Sequence, residues 1–270
     1  MVNIFFICCY TGNYENNVNS VIQKLSILNS VKILIVNQSY KKFLTQDLLN
    51  IKEELVGPIG VSAARNYGIN WANECKINGT NNFIYFWDED IDFQLPFLNK
   101  IKNGLLYDHT IDAYIFSIES YSGKRVGNIP YSSKLLMSLN AFRLGNPHFI
   151  FNLEKISILF NENIGPGKKL LIAAEDTLFV LQNSFKKFVL LSDKFIHPEP
   201  ESINSNQKIY DYSIAQGAIL RKLKFNQKCI FTILVMSRPI VGFFFNPKNH
   251  KLYILRIKGF IYGIKKNINF

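Results

Sequence analysis

Residues Phe83–Phe93 read FIYFWDEDIDF. The run from Phe83 to Trp87 is largely apolar and aromatic, and four carboxylates follow it within five positions: Asp88, Glu89, Asp90 and Asp92. A short aromatic-rich run of this kind is the pattern of a strand buried on both faces, as in a mostly parallel sheet. Alternate residues of a strand share a face, so the pattern pairs Asp88 with Asp90 and turns Glu89 away. Two carboxylates converging at a strand end repel, and one keeps its proton unless a cation neutralises them. A hard divalent ion, held jointly with substrate phosphates, meets that need. From these residues alone a solvated acidic turn is the alternative.

The chain before this stretch supplies the start of an α/β sheet. Val2–Cys9 reads as a strand, Thr11-Gly12-Asn13 as a turn, and Tyr14–Leu28 as a helix with Val18, Val21, Ile22, Leu25 and Leu28 on one side. Val31–Val36 is a second buried strand. Strand, helix and strand in this order build a sheet with right-handed crossovers. Ligands of such sheets bind beyond the carboxyl ends of the strands, which brings Tyr10, Thr11, Asn37 and Gln38 to one site. In Val56–Trp71, VGPIGVSAARNYGINW, two glycines flanking Pro58 mark a loop, Ser62 is a possible cap, and Ala63–Cys75 reads as a helix. Arg65 falls in the first turns of that helix, where a cation opposes the helix dipole. Its planar, multi-donor head then suits a negatively charged partner such as a diphosphate.

After the acidic stretch the pattern predicts a helix over Leu95–Leu106, a strand over Ala113–Ile118, and an irregular region over Ser120–Asn146. Phe149–Leu153 and Ile156–Phe160 read as a strand or hairpin. Gly165-Pro166-Gly167 is a loop of little bulk, able to approach a ligand closely. Ala173–Lys187 reads as a helix with Glu175 and Asp176 in its first turn, favourable for the dipole. Phe188–Leu191 is the last strand, and His197 follows. A histidine at that place offers a neutral nitrogen to a metal, while His109 and His148 read as structural.

Composition narrows the classes. A hydrophobic content of 48% over 270 residues suits a chain with a full core. The four cysteines, Cys8, Cys9, Cys75 and Cys229, have no metal-type spacing and suit a reducing compartment. Ile4–Cys9 is short and lacks a basic flank, so it reads as a core strand rather than a secretory signal. No GxGxxG follows a strand and no GxxxxGK[ST] occurs, which argues against dinucleotide redox chemistry and P-loop phosphoryl transfer. Eleven of the 31 Lys and Arg residues, and none of the 20 Asp and Glu residues, lie from Arg221 to Phe270. Residues 1–220 are therefore neutral, and the basic character is no sign of a nucleic-acid-binding body.

Four ordered signals together resemble the family 2 glycosyltransferases of GT-A fold, across roughly residues 1–217. They are the N-terminal strand–helix–strand unit, GVSAARNYGI (Gly60–Ile69), FIYFWDED (Phe83–Asp90), and NENIGPG (Asn161–Gly167) with AAEDTLF (Ala173–Phe179). The resemblance implies an α/β Rossmann-like sheet flanked by helices. It also implies inverting transfer of a hexosyl or N-acetylhexosaminyl group from a nucleotide-diphosphate sugar to an acceptor hydroxyl. Carried across residue by residue, Asp88 and Asp90 match the DxD motif, Asp90 being the closer ligand of Mn²⁺ or Mg²⁺, and His197 falls where many members carry a metal-shell histidine. Arg65 would meet the nucleotide or its diphosphate, with Tyr10, Thr11 and Asn37 around the base. Asp176 would be the base that deprotonates the acceptor, with Glu175 in reserve. Two departures stand out. Asn37-Gln38-Ser39 replaces the acidic residue that reads the base in many members, which weakens the expectation of a UDP-sugar, although an amide can still donate and accept. Ala174 stands where a glycine often precedes the ED pair.

From Phe225 onward, apolar runs alternate with Lys and Arg. That interleaving suits an anionic membrane surface, and the runs are too apolar for a solvated nucleic-acid stripe. The expectation is a catalytic domain over 1–220 and a basic, apolar, largely helical extension over 221–270. The enzyme would be cytoplasmic and peripheral at the inner face of the membrane, acting on a saccharide or lipid-linked saccharide in bacterial surface polysaccharide synthesis. Cys229–Phe245 comes nearest to a membrane span, and Arg238-Pro239 is expected to break it. A metal-dependent nucleotidyltransferase and a non-catalytic binder of nucleotide sugars are the competing readings.

Overall fold

The computed structural model describes residues 2–42, 44, 49–93, 95–102, 108–126, 144–168, 171–197 and 206–266. Its strands in chain order are β1 (Val2–Tyr10), β2 (Val31–Asn37), β3 (Ile51–Leu55), β4 (Asn81–Trp87), β5 (Ala113–Ser120), β6 (Arg125–Val126), β7 (Phe149–Asn152) and β8 (Phe188–His197). The helices are α1 (Glu15–Ser26), α2 (Val61–Cys75), α3 (Leu95–Lys102), α4 (Glu175–Asn183), α5 (Asn206–Ile219), α6 (Phe225–Phe245) and α7 (His250–Lys265). Among the described residues these strands form one mixed sheet in the order β3-β2-β1-β4-β7-β5-β6, with β8 also on β5. β3, β2, β1 and β4 run parallel, β7 is antiparallel to both β4 and β5, and β8 is parallel to β5.

The sheet is covered on both faces, which is why its central strands read as unbroken apolar runs. All nine residues of β1 are buried, and their side chains alternate between two cores. Phe5 and Ile7 pack with Ala64 and Ile69 of α2 and with Phe86, while Phe6 and Cys8 pack with Val18 and Val21 of α1 and with Trp87. Gly68 lets α2 lie directly on β1, since a methyl group there would run into Ile7. Phe160 and Phe179 stack at 3.9 Å, binding the loop before Gly165 to α4.

Several boundaries differ from the sequence pattern. Ile51–Leu55 (IKEEL) is a strand that no apolar run announced; it is an edge strand with only Ile51 and Glu53 buried. Ile156–Phe160 holds no strand, because a 3-10 turn at Leu153–Lys155 ends the pairing of β7. α4 stops at Asn183 rather than Lys187, closed by Ser184 in the left-handed region. Most of the irregular region over Ser120–Asn146 and the end of the helix expected to Leu106 lie outside the described residues. α6 is one continuous helix through Pro239, so the interruption of the apolar run at Arg238-Pro239 is not an interruption of the helix. α5, on the N-terminal side of residue 220, packs against α7 beyond it through glycines. Methyl groups at Gly259 and Gly263 would meet the carbonyls of Tyr210 and Ile214.

Candidate active site

β4 ends at Trp87, and the Ile91 N–H donates to the Asp88 carbonyl at 3.0 Å, so the acidic residues form a turn. Strand alternation therefore stops one residue short of the carboxylates, and the turn sends them in different directions. Asp88 faces Arg65, with Oδ1 at 3.6 Å from Nη2. Asp90 faces His197, with Oδ2 at 3.4 Å from Nε2. Glu89 is buried and accepts from the Thr11 hydroxyl and, at 3.0 Å, from the Thr11 N–H. Asp92 accepts from Lys24 at 2.6 Å, and its backbone bridges to Ile196. That bridge carries the end of β8 onto the acidic turn and explains why His197 reaches Asp90. From α1, Asn17 donates to the Glu89 carbonyl at 2.7 Å and holds the turn in place. Burial raises Asp88 to about 6 although its side chain keeps 40% of its surface; Arg65 opposes the shift and the Asp90 charge adds to it.

Arg65 is the hub of the site. It is buried in the first turns of α2, and its Nη1 donates to Asp176 Oδ1 at 2.6 Å and lies 3.5 Å from Glu175 Oε1. The negative partner that its position demanded is thus met within the chain, by carboxylates from the β4 turn and the start of α4. Burial alone would lower Arg65, but Asp176 and Asp88 raise it on balance, so it stays charged. Asp176 is gripped a second time from Asn146, whose backbone N–H donates to Oδ2 at 2.9 Å and whose amide donates to Oδ1 at 2.6 Å. Glu175 is buried beneath it. Burial and the adjacent Asp176 charge push its carboxyl well above the usual carboxylate range, with Arg65 opposing.

The glycines around α4 serve the chain's own packing. Gly165 has φ +113°, and a side chain there would press on Ser62 Oγ and on the Glu175 carboxyl. Ser62 does not cap α2; its hydroxyl donates to the Ile164 carbonyl at 2.6 Å, tying this loop to the helix. Ala174 has φ +76° and ψ +6° at the N-cap of α4, a conformation that costs an L-residue roughly 1–2 kcal/mol. The site needs a glycine-like turn there to point both carboxylates at Arg65. A cavity of about 220 Å³ opens beside Asp176, walled by Gly145, Pro166, Ala174, Tyr212 and Gln216.

The carboxyl ends of β1 and β2 meet next to this cluster, where the Gln38 N–H donates to the Tyr10 carbonyl at 2.8 Å. Gln38 Oε1 accepts from the Gly60 N–H at 2.8 Å, which joins the β2 end to the start of α2. Asn37 is fully buried. Its side-chain Oδ1 accepts from the Ser39 N–H at 2.8 Å, and its side-chain amide donates to the Lys41 carbonyl and to Glu53 of β3. Its polar groups shape the loop from within. Tyr10 is buried at the end of β1, and Thr11, exposed, lies against Glu89.

No family model and no curated protein sequence matches the chain. Solved structures do. TarS of S. aureus superposes with a TM-score of 0.56 at 16% identity, over 98% of this chain and 55% of that one. The mannosyltransferase PcManGT of Pyrobaculum calidifontis, solved with GDP-Man and Mn²⁺, superposes with a TM-score of 0.57 at 10% identity, over 98% of this chain and 88% of that one. The chain has the GT-A fold. It spans little more than half the length of TarS.

Within the GT-A frame the metal question turns on Asp90. Its Oδ1 is buried without a hydrogen-bond partner, while Oδ2 lies near His197. A buried carboxylate oxygen without a hydrogen-bond partner is costly and fits a cation ligand. Among the described residues no group of three or more acidic, His or Cys side chains forms a ready cage. An ion of the Mg²⁺ or Mn²⁺ kind takes one or two carboxylates from a protein and the rest of its shell from substrate phosphates and water. Asp90 and His197 are the residues that would hold it; Asp88, expected to share a face with Asp90, is turned to Arg65 instead. The reading of the sequence missed Glu89, Asn17, Glu53 and Asn146 as members of the site. Each acts on a functional segment from elsewhere in the chain, and Asn146 lies 30 residues from Asp176. Only contact in three dimensions reveals them.

Proposed function

We propose that this protein is an inverting glycosyltransferase that moves a sugar from a nucleotide-diphosphate donor to an acceptor hydroxyl. The observation that carries the reading is the convergence on Arg65 of Asp88, from the turn after β4, with Glu175 and Asp176, from the start of α4. A buried cation between the proposed metal side and the proposed base side fixes the distance between them, as a single in-line displacement requires.

The donor lies across the carboxyl ends of β1, β2 and β4, with its base near Tyr10, Thr11 and the Asn37 loop and its diphosphate near Asp88 and Asp90. A divalent ion bound there would neutralise the diphosphate and act as Lewis acid on the departing nucleotide. The acceptor enters the cavity beside Asp176. Asp176 takes the hydroxyl proton as the oxygen attacks the anomeric carbon opposite the leaving group, so the configuration inverts. Arg65 and Asn146 hold both carboxylate oxygens and orient them. Burial, and then the neighbouring Asp176 charge, raise the Glu175 carboxyl well above the usual carboxylate range, so Glu175 favours its protonated form. The enzyme acts at the cytoplasmic face of the membrane on a saccharide or lipid-linked saccharide acceptor of bacterial surface polysaccharide synthesis, a reading supported by the basic, apolar C-terminal helices.

A thermal-shift screen of UDP- and GDP-sugars with and without Mn²⁺ tests this. A donor at about 100 times its Kd stabilises by about 2.7 kcal/mol, so one donor class should raise Tm selectively and only with metal. Asp176→Asn should keep that shift and lower turnover by about 10²–10⁴-fold. No shift with any donor would overturn the reading.

A further inference from the structure

α6 turns its apolar side to the solvent. Phe231 is buried in the core, Leu234, Val235 and Met236 pack against it, and Gly242 lies against the ring of Tyr253. On the other side Ile230, Ile233, Ile240, Val241, Phe244 and Phe245 are exposed, Ile233 by 66% and Phe244 by 73%. Ile230, Ile233, Ile240 and Phe244 recur at helical spacing and so line one face. An apolar ridge of this length on a water-facing surface marks an interaction site.

Two further observations say what covers it. The exposed face of α7 reads Lys251, Ile254, Lys258, Ile261 and Lys265, cation and isoleucine alternating along the whole helix. From Arg221 to Phe270 there is no acidic residue against eleven basic ones. At the N-terminal end of α6, a cavity of about 360 Å³ opens between α4 and α6, with an apolar wall of Leu181, Phe185, Ile230 and Phe231 and two lysines, Lys186 and Lys224. No acid lines it. Apolar surface framed by cations alone is complementary to a layer that is apolar within and anionic at its surface.

We propose that the outer face of α6, with this cavity, is a docking surface for an anionic phospholipid bilayer, Lys186 and Lys224 receiving lipid phosphates. The inference deepens the proposed membrane location by naming the residues and the lipid class. By length and composition α6 is able to cross a membrane, with a mean hydropathy of 1.6 over its most apolar stretch. Its inner side, however, is fastened to the core and to α7, and the lysines of α7 are spread along that helix. α6 therefore lies in the plane of the interface rather than across it.

Flotation of the full chain with vesicles of 30% phosphatidylglycerol in phosphatidylcholine, and of phosphatidylcholine alone, tests this. The wild type should float with the anionic vesicles and be released by alkaline carbonate. Ile233→Asn with Phe244→Asn should weaken partitioning by roughly tenfold or more. Lys186→Gln with Lys224→Gln should remove most of the preference for anionic vesicles, again roughly tenfold or more. Any of four results would overturn the proposal: no binding by the wild type, equal binding by Ile233→Asn/Phe244→Asn, resistance to carbonate, or a dimer that this double variant dissolves without vesicle binding. The donor-induced rise in Tm is a separate readout. If it is absent while flotation holds, the transfer reading falls and this inference stands.

Discussion

The acid cluster around Arg65 and the outer face of α6 break the usual sorting of residues in opposite directions. One puts four ionisable side chains, Arg65, Asp88, Glu175 and Asp176, around a largely buried centre; the other holds isoleucine and phenylalanine out in water. The first closes on itself, because each carboxylate has Arg65 within reach. The second has no counterpart among the described residues. The difference separates what the fold must hold together from what a partner must cover. Charges gathered in the interior are coupled to stability, whereas an apolar ridge left outside is coupled to binding.

The largest effect should come from removing the cation. Arg65→Ala leaves three carboxylates crowded without a counter-charge, and breaking a buried pair of this kind costs about 3–5 kcal/mol. Urea unfolding at pH 7 should show that loss, and an unchanged midpoint would dissolve the contrast with α6. Glu175 gives the next effect. Because its folded value is raised, the folded state holds the proton more tightly than the unfolded chain. Wild-type stability therefore falls as pH climbs from the ordinary value of 4.5 through the raised one. Glu175→Gln mimics the neutral form and escapes that fall, so the variant should gain on the wild type by up to about 1.4 kcal/mol per pH unit over this window. Unfolding midpoints from pH 4 to 8 check the sign, and a gap that does not widen with pH would refute it.

A smaller gain is expected at Ala174. Glycine adopts φ +76° without the clash of a Cβ, so Ala174→Gly should stabilise by roughly 1 kcal/mol without displacing Glu175 or Asp176. Calorimetry reads the change in Tm, and a loss of stability would place the strain elsewhere. The smallest effect sharpens the other side of the comparison. Ile233→Asn with Phe244→Asn should change folding stability by no more than about 0.5 kcal/mol, since exposed positions contribute little. A large loss in urea would mean that the ridge is part of the core.

Legibility followed the range of the interaction. β1, β2 and β4 were readable because strands buried on both faces leave unbroken apolar runs. β3 was not, because an edge strand of Lys and Glu has no such signature. The acidic stretch was recognisable by its neighbours in sequence, yet its geometry was misread: the strand ends at Trp87, and a turn rather than strand alternation aims Asp88 at Arg65 and Asp90 at His197. Arg65 opposes its own helix dipole and so calls for negative charge, expected from a diphosphate; within the chain Asp88 and the ED pair supply such charge. Ala174 was noticed only as a departure from a pattern, and its left-handed backbone gives the physical meaning of that departure.

By itself the sequence determined the α/β architecture, the order of the acidic motifs and the concentration of positive charge after residue 220, since each is a matter of local pattern or composition. Tertiary structure alone decided that Glu89 clamps Thr11, that Asn146 grips Asp176, that Asn37 is spent inside its loop, and that α6 faces its apolar side outward. These depend on contacts between residues far apart in the chain, or on which side of a helix the core takes. A helix with apolar residues on several sides can be packed in more than one way, and only the fold chooses among them.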